Sequence, residues 1–154
     1  ALAATVKLSV LDQDSALVVA VAEAPQTYSV TTQVGRRFPL HAGAASKVLA
    51  AFAGEAVHKR LLAAPLPRHT PHTITARRAF AAVLAAVHKD GVAEDAGEFV
   101  DGVCAVAAPV FDAAGACVAA LSIPYLAGER PVRRQALKDG VLACAARVTR
   151  QLGG

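Results

Sequence analysis

The chain has 154 residues, of which 55% are apolar and 18% charged, with a net charge of +4, three cysteines and neither methionine nor tryptophan. That length fits one domain able to bury roughly 68–70% of its unfolded surface, and so apolar a chain with so small a net charge is not a disordered one. A charge or a Gly/Pro break interrupts every apolar stretch short of about 18 residues, which excludes a membrane-spanning helix.

Ala1–Ala4 has no basic flank, so no secretory leader is expected. The absence of methionine predicts a piece cut from a longer protein. Alanine makes up about a quarter of the chain, well above average usage, which fits a GC-rich bacterial genome rather than a special fold.

Thr5–Leu11 alternates, with Val6, Leu8 and Val10 on one side and Thr5, Lys7 and Ser9 on the other, and reads as a half-buried strand. Asp12 to Ser15 is a turn cluster, and Ala16–Ala24 completes a hairpin. Thr27–Val34 reads as a third strand, ending at Gly35 and the basic pair Arg36-Arg37. After Pro39 the period changes to that of helices, over Ala45–Phe52 and again over Glu55–Leu62. Pro65, Pro67 and Pro71 force an irregular stretch. Thr75 is the expected cap of a helix over Ala76–Lys89, with Phe80, Val83, Leu84 and Val87 as its buried stripe and Gly91 as its stop.

Val92–Phe99 reads as a short edge strand or extended loop. Val103–Phe111 and Ala116–Pro124 form a second hairpin around Asp112-Ala113-Ala114-Gly115. Its turn resembles the first, with Asp112 matching Asp12 as an acceptor of backbone hydrogen bonds. Pro131 suits the first turn of a final helix to about Leu152, striped by Leu137, Val141, Cys144 or Ala145, Val148 and Leu152. Hairpins interleaved with helices give an α+β domain with a mostly antiparallel sheet of five to six strands.

The basic residues are scattered and not interleaved with aromatics, so the charge reads as an ordinary solvated surface rather than a nucleic-acid footprint. Cys104, Cys117 and Cys144 form no CxxC pair, and the histidines show no HxxxH spacing, which leaves no local metal motif. No motif for catalysis is present either, and no cofactor is expected. Asp95 and Glu98 have the chemistry for acid/base work, but acids spaced this way in an extended segment read as solvated. Ala42-Gly43-Ala44-Ala45-Ser46 enters a helix, where free N–H groups can receive an anion. Tight packing of that helix start on the sheet is an equal alternative.

The stretch from Pro39 through His41, Gly43, Ser46 and Lys47 to Phe52 resembles the first helix of the effector-binding domain of IclR-family bacterial transcription regulators. There the pattern is P-[LM]-H-A-[ST]-A-x-G-K-A-x-L-A. The likeness continues through Leu66 to Thr75, Asp95 to Val103, Ala107 to Asp112, Ala119 to Ile123 and the closing helix. It implies a GAF-like sensor of a small, often carboxylate-bearing metabolite, without enzymatic activity, with an upstream helix-turn-helix domain. It also implies homodimers or homotetramers, DNA contact only through that upstream domain, and a location in the bacterial cytoplasm without membrane contact.

Carried over residue by residue, the resemblance implies Val30 and Phe38 as apolar wall and Ala44 and Ala45 as backbone donors. Asp95 is an acidic pocket residue, Val103 a second wall position, and Ser122 a hydroxyl that hydrogen-bonds the ligand. Three departures stand out. The thiol expected at Ala105 is replaced by Cys104 one residue earlier, on the opposite strand face. The glycine before Lys47 is Ser46, and a second strand serine is Pro124, which marks an edge or strand end. Together they predict a less polar site and a larger ligand, an aromatic or branched organic acid. A GAF-like thiol enzyme, with Cys104 and Cys117 in one pocket, and a purely structural oligomerisation module are the alternatives.

Overall fold

A computed structural model describes residues 3–24 and 33–154. Among these residues, six strands and four helices follow in the order β1 (Val6–Asp12), β2 (Ser15–Ala22), β3 (Arg37–Pro39), α1 (Ala44–Ala51), α2 (Glu55–Ala63), α3 (Arg77–Asp90), β4 (Ala93–Asp95), β5 (Val103–Phe111), β6 (Cys117–Leu126) and α4 (Pro131–Gln151). The strands make one sheet, ordered β3-β2-β1-β6-β5-β4, with every neighbouring pair antiparallel. The fold is α+β.

The first hairpin closes through Gln13 and Asp14, whose φ values of 50° and 63° are both left-handed. Such a two-residue turn matches the right-handed twist of its strands. In the second hairpin Asp112 Oδ1 accepts from the N–H of Ala114 and Ala116 at 2.9 and 3.0 Å. Asp12 does not play that part: its carboxylate pairs with Arg37 at 2.5 Å. The likeness of the two turns is therefore one of composition, not of hydrogen bonding.

Helices cover both faces of the sheet. On one side α1 and α3 bury Val48, Leu49, Phe80, Leu84 and Val87 against Ala16, Ala105, Ala107 and Ala120. On the other, Leu137, Val141 and Ala145 of α4 meet Val106, Ala108, Val110, Leu121 and Ile123. β5 and β6 are thus apolar on both faces, which is why they read as near-continuous hydrophobic runs. The alanines have a structural use after all. Four of them floor the sheet beneath α1, itself alanine-rich, and small side chains on both sides let helix and sheet meet.

Several local expectations are corrected. Val34 lies in a turn, and among the described residues the strand after β2 is Arg37–Pro39, paired with β2 as Ala16 opposite Phe38. Most of Thr27–Val34 lies outside the described residues. Thr75 does not cap α3, since Ala76 stands at that position without a side-chain bond and the Thr75 hydroxyl accepts from Arg68 at 3.3 Å. Gly91 does end α3, in the left-handed conformation at φ 69°, its N–H bonded to Val87. Leu152 falls past α4 and is exposed.

Pro124 is inside β6 rather than at its end. The β1 ladder on β6 covers only Ala120 to Ser122, so no neighbour on that side needs the missing N–H. Pro109 of β5 likewise stands beyond the β4 ladder, which stops at Ala107.

Candidate ligand-binding site

Between the α1 face of the sheet, the start of α1 and the loop after β4 lies a cavity of about 420 Å³. Its floor is Lys7 and Ser9 of β1, Ala16 of β2, Val103 and Ala105 of β5, and Ser122, Pro124 and Leu126 of β6. Arg36 and Phe38 form one side, Gly43 to Ser46 the helix side, and Asp95, Phe99 and Val100 the roof. Phe38, Ala44, Ala45, Asp95, Val103, Ala105, Ser122 and Pro124, spread over most of the chain, all line this one space. Val30 lies outside the described residues.

The helix start is shaped by Gly43. Its φ of 114° suits glycine, and a Cβ there would stand 3.3 Å from the Ser46 hydroxyl. The first bond inside α1 runs from the Lys47 N–H to the Gly43 carbonyl. The N–H groups of Ala44, Ala45 and Ser46 therefore have no acceptor within the helix and stand at the cavity wall.

The polar side of β1, Thr5, Lys7 and Ser9, faces the cavity side rather than solvent; Ser9 is 2% exposed. Lys7 lies directly opposite Ser122 in the β1–β6 ladder. Its ammonium stands 5.0 Å from the centre of the Phe38 ring, and the Arg36 guanidinium stands 5.2 Å from the same ring. Phe38 meets Phe99 edge-on at 5.2 Å. Burial pulls the Lys7 ammonium below its usual range, against the pull of Asp95, and Arg36 adds to the lowering. Lys7, Ser9, Arg36, Phe99, Val100 and Leu126 had no signal of their own in the sequence, apart from the polar rank of β1.

Asp95 and Glu98 are not solvated acids: they are 7% and 5% exposed. Asp95 Oδ1 accepts from the N–H groups of Gly97 and Glu98 at 2.9 and 2.7 Å, which ties the loop into a tight turn. Glu98 pairs with Lys47 of α1 at 2.7 Å, and the same ammonium donates to the Glu94 carbonyl. The roof is also held from the proline-rich loop, where Thr70 and Thr73 hydroxyls donate to the carbonyls of Gly97 and Glu98, each at 2.6 Å.

Burial pushes the Asp95 carboxyl up, and the nearby Glu98 adds to the rise; its backbone hydrogen bonds and Lys47 act against both. A carboxyl raised by folding favours the native state below its ordinary range, and that contribution fades as pH climbs through the raised value. Asp95→Asn is therefore expected to be more stable than the parent at pH 7. The gap should close as the buffer falls toward pH 4, which urea midpoints across that range would check.

Cys104 borders the cavity, but it pairs with Tyr125, which packs on the α4 side, while Val103 and Ala105 flank it on the cavity side. Cys117, at the start of β6, does not line the cavity. Burial pushes both thiols up, away from the thiolate form a nucleophile needs. The two cysteines therefore do not line one pocket together. Among the described residues no three His, Cys, Asp or Glu side chains gather in a way that holds a metal ion, and no helix is long and apolar enough to cross a membrane.

Residues 1–150 match the family model for the C-terminal part of the bacterial transcriptional regulator IclR. The chain belongs to this family. Among IclR-family relatives, the HTH-type transcriptional regulator KdgR of Escherichia coli is 34% identical over 122 residues, covering 79% of this chain and 46% of KdgR. The chain thus spans about half the length of the curated relatives it matches. The Thermotoga maritima IclR crystal structure superposes with a TM-score of 0.89 at 28% identity, covering 99% of this chain and 62% of that one. An IclR homologue of Microbacterium hydrocarbonoxydans, crystallised with 4-hydroxybenzoate, superposes with a TM-score of 0.88 at 25% identity, covering 97% of this chain and 60% of its own.

Proposed function

We propose that the chain is the sensing domain of a bacterial transcription regulator and binds a small organic acid in this cavity. The observation that carries the reading is the convergence of Lys7, Arg36 and the helix-start N–H groups of Ala44, Ala45 and Ser46 on one space, opposed by Asp95 alone. Such a space favours an anion. Phe38, Phe99, Val100, Val103 and Leu126 supply apolar wall for a ring or branched chain, and about 420 Å³ is room for more than a two-carbon oxoacid. The 4-hydroxybenzoate held by the Microbacterium hydrocarbonoxydans homologue is an acid of this kind.

Occupancy reaches DNA through the geometry of a homodimer or homotetramer and an upstream helix-turn-helix domain, in the bacterial cytoplasm. That coupling requires the acid to bind two assembly states with different affinity. The domain itself performs no chemistry on the acid.

Calorimetry of the 154-residue chain with 4-hydroxybenzoate, benzoate, pyruvate and glyoxylate tests the reading. The aromatic acids are expected to bind, and at 100 times Kd to add about 2.7 kcal/mol to the unfolding free energy. Tight binding of glyoxylate or pyruvate with none of the aromatic acids would overturn the ligand class, and binding of no acid would overturn sensing. Light scattering and operator affinity of the full-length protein test the coupling, which is wrong if the acid changes neither.

A further inference from the structure

We infer that Lys7, beside the Ser122 that the family resemblance already brings to the ligand, is the receptor for the ligand's acid group, so that the ligand lies with its carboxylate against the sheet and not against the start of α1. This deepens the reading of the cavity as an organic-acid site and rests on it.

Three features point to the sheet. Lys7 and Ser122 are direct cross-strand partners, which places their side chains on one face with Cβ atoms about 4.5–5.5 Å apart. The Ser122 hydroxyl is buried, at 1% exposure, and makes no hydrogen bond. Lys7, half-buried, forms no ion pair or hydrogen bond with any described residue. An ammonium and a hydroxyl, side by side and both lacking an acceptor, match the two donors that a carboxylate accepts.

The charges agree with this placement. Lys47 and Glu98 neutralise each other beneath the roof, and Asp95 has one oxygen engaged by two backbone N–H groups. Lys7 and Arg36 therefore outnumber the carboxylates at the cavity by one, and a monoanion restores the balance. The start of α1 offers only the partial charge of its free N–H groups, which suits a neutral oxygen such as a phenol or a carbonyl at the ligand's other end.

The test compares Lys7→Gln and Ser122→Ala with the parent chain by calorimetry. The probes are 4-hydroxybenzoate against neutral 4-hydroxybenzamide, or pyruvate against pyruvamide if pyruvate is the acid that the parent binds. Lys7→Gln is expected to weaken the acid about 10- to 100-fold, the range of a charge-assisted hydrogen bond, and to leave the amide unchanged. Ser122→Ala should weaken it several-fold. The melting temperature of unliganded Lys7→Gln should equal or exceed the parent's, since an ammonium without an acceptor is being removed, which guards against reading misfolding as lost affinity. An acid affinity within twofold of the parent, or an equal loss for acid and amide, would overturn the inference and leave the cavity reading standing. If the parent binds neither acid, the cavity reading fails first and this assignment with it.

Discussion

Lys47→Met is expected to destabilise the fold by about 3–5 kcal/mol, the usual result of removing one partner from a buried ion pair. The side chains of Lys47 and Glu98 are only 4% and 6% exposed. Without the ammonium, the Glu98 carboxylate stays out of water with no cation, and its Oε1 already lacks a hydrogen bond. The Glu94 carbonyl loses a donor as well. Because the pair spans α1 and the loop after β4, its loss also loosens the roof of the cavity, and acid affinity should fall with stability. Lys47→Met/Glu98→Leu should recover most of the loss, since replacing both charges by apolar groups removes the stranded one. Urea unfolding of the parent, both single variants and the double variant gives the coupling directly. A Lys47→Met chain as stable as the parent would show that the pair holds nothing together.

Phe80→Ala is expected to cost a similar 3–5 kcal/mol by a different route. Phe80 is 0% exposed, at the centre of the cluster between α1, α3 and the sheet, with its ring edge-on to His41. Truncation leaves a void that the alanine-rich surroundings have few side chains to fill. Phe80 does not line the cavity, so the variant should keep the parent's acid affinity at temperatures where it remains folded. The two variants therefore separate stability from binding: Lys47→Met lowers both, Phe80→Ala only the first. Parallel urea and calorimetric titrations check this, and a Phe80→Ala chain with acid affinity lost in the folded state would contradict it.

The elements were legible where one face of one element decides the pattern. The stripe of Phe80, Leu84 and Val87 marked α3, and Gly91 marked its end. The hairpin around Asp112 announced itself by its turn residues. Alternation in β1 told two faces apart without telling which of them faces inward. With helices on both sides of the sheet, both faces are partly covered, and the cavity needs its polar residues on one of them.

The acidic segment misled in a related way. Asp95 and Glu98 read as solvated because the cation that neutralises Glu98, Lys47, comes from α1, 51 residues earlier. No local pattern carries a pairing of that range. The helix start at Gly43–Ser46 was legible from its residues, but Phe38, Val103, Ala105, Ser122 and Pro124 were reached only through the resemblance to a known family. Arg36 and Leu126 lie outside those stretches, and Phe99 lies within one without being given a role by it; the fold brings all three to the same space.

Pro124 has a consequence for how the cavity meets its ligand. In the register that sets Lys7 opposite Ser122, the next opportunity for β1 to bond β6 in that direction would fall at position 124, where there is no amide hydrogen to give. At most one of that rung's two backbone bonds could form, and the β1–β6 ladder ends at Lys7 and Ser122. A binding site where the ladder stops in this way is preorganised: little conformational freedom is left for the ligand to remove on entry, so more of its interaction energy is expressed as affinity.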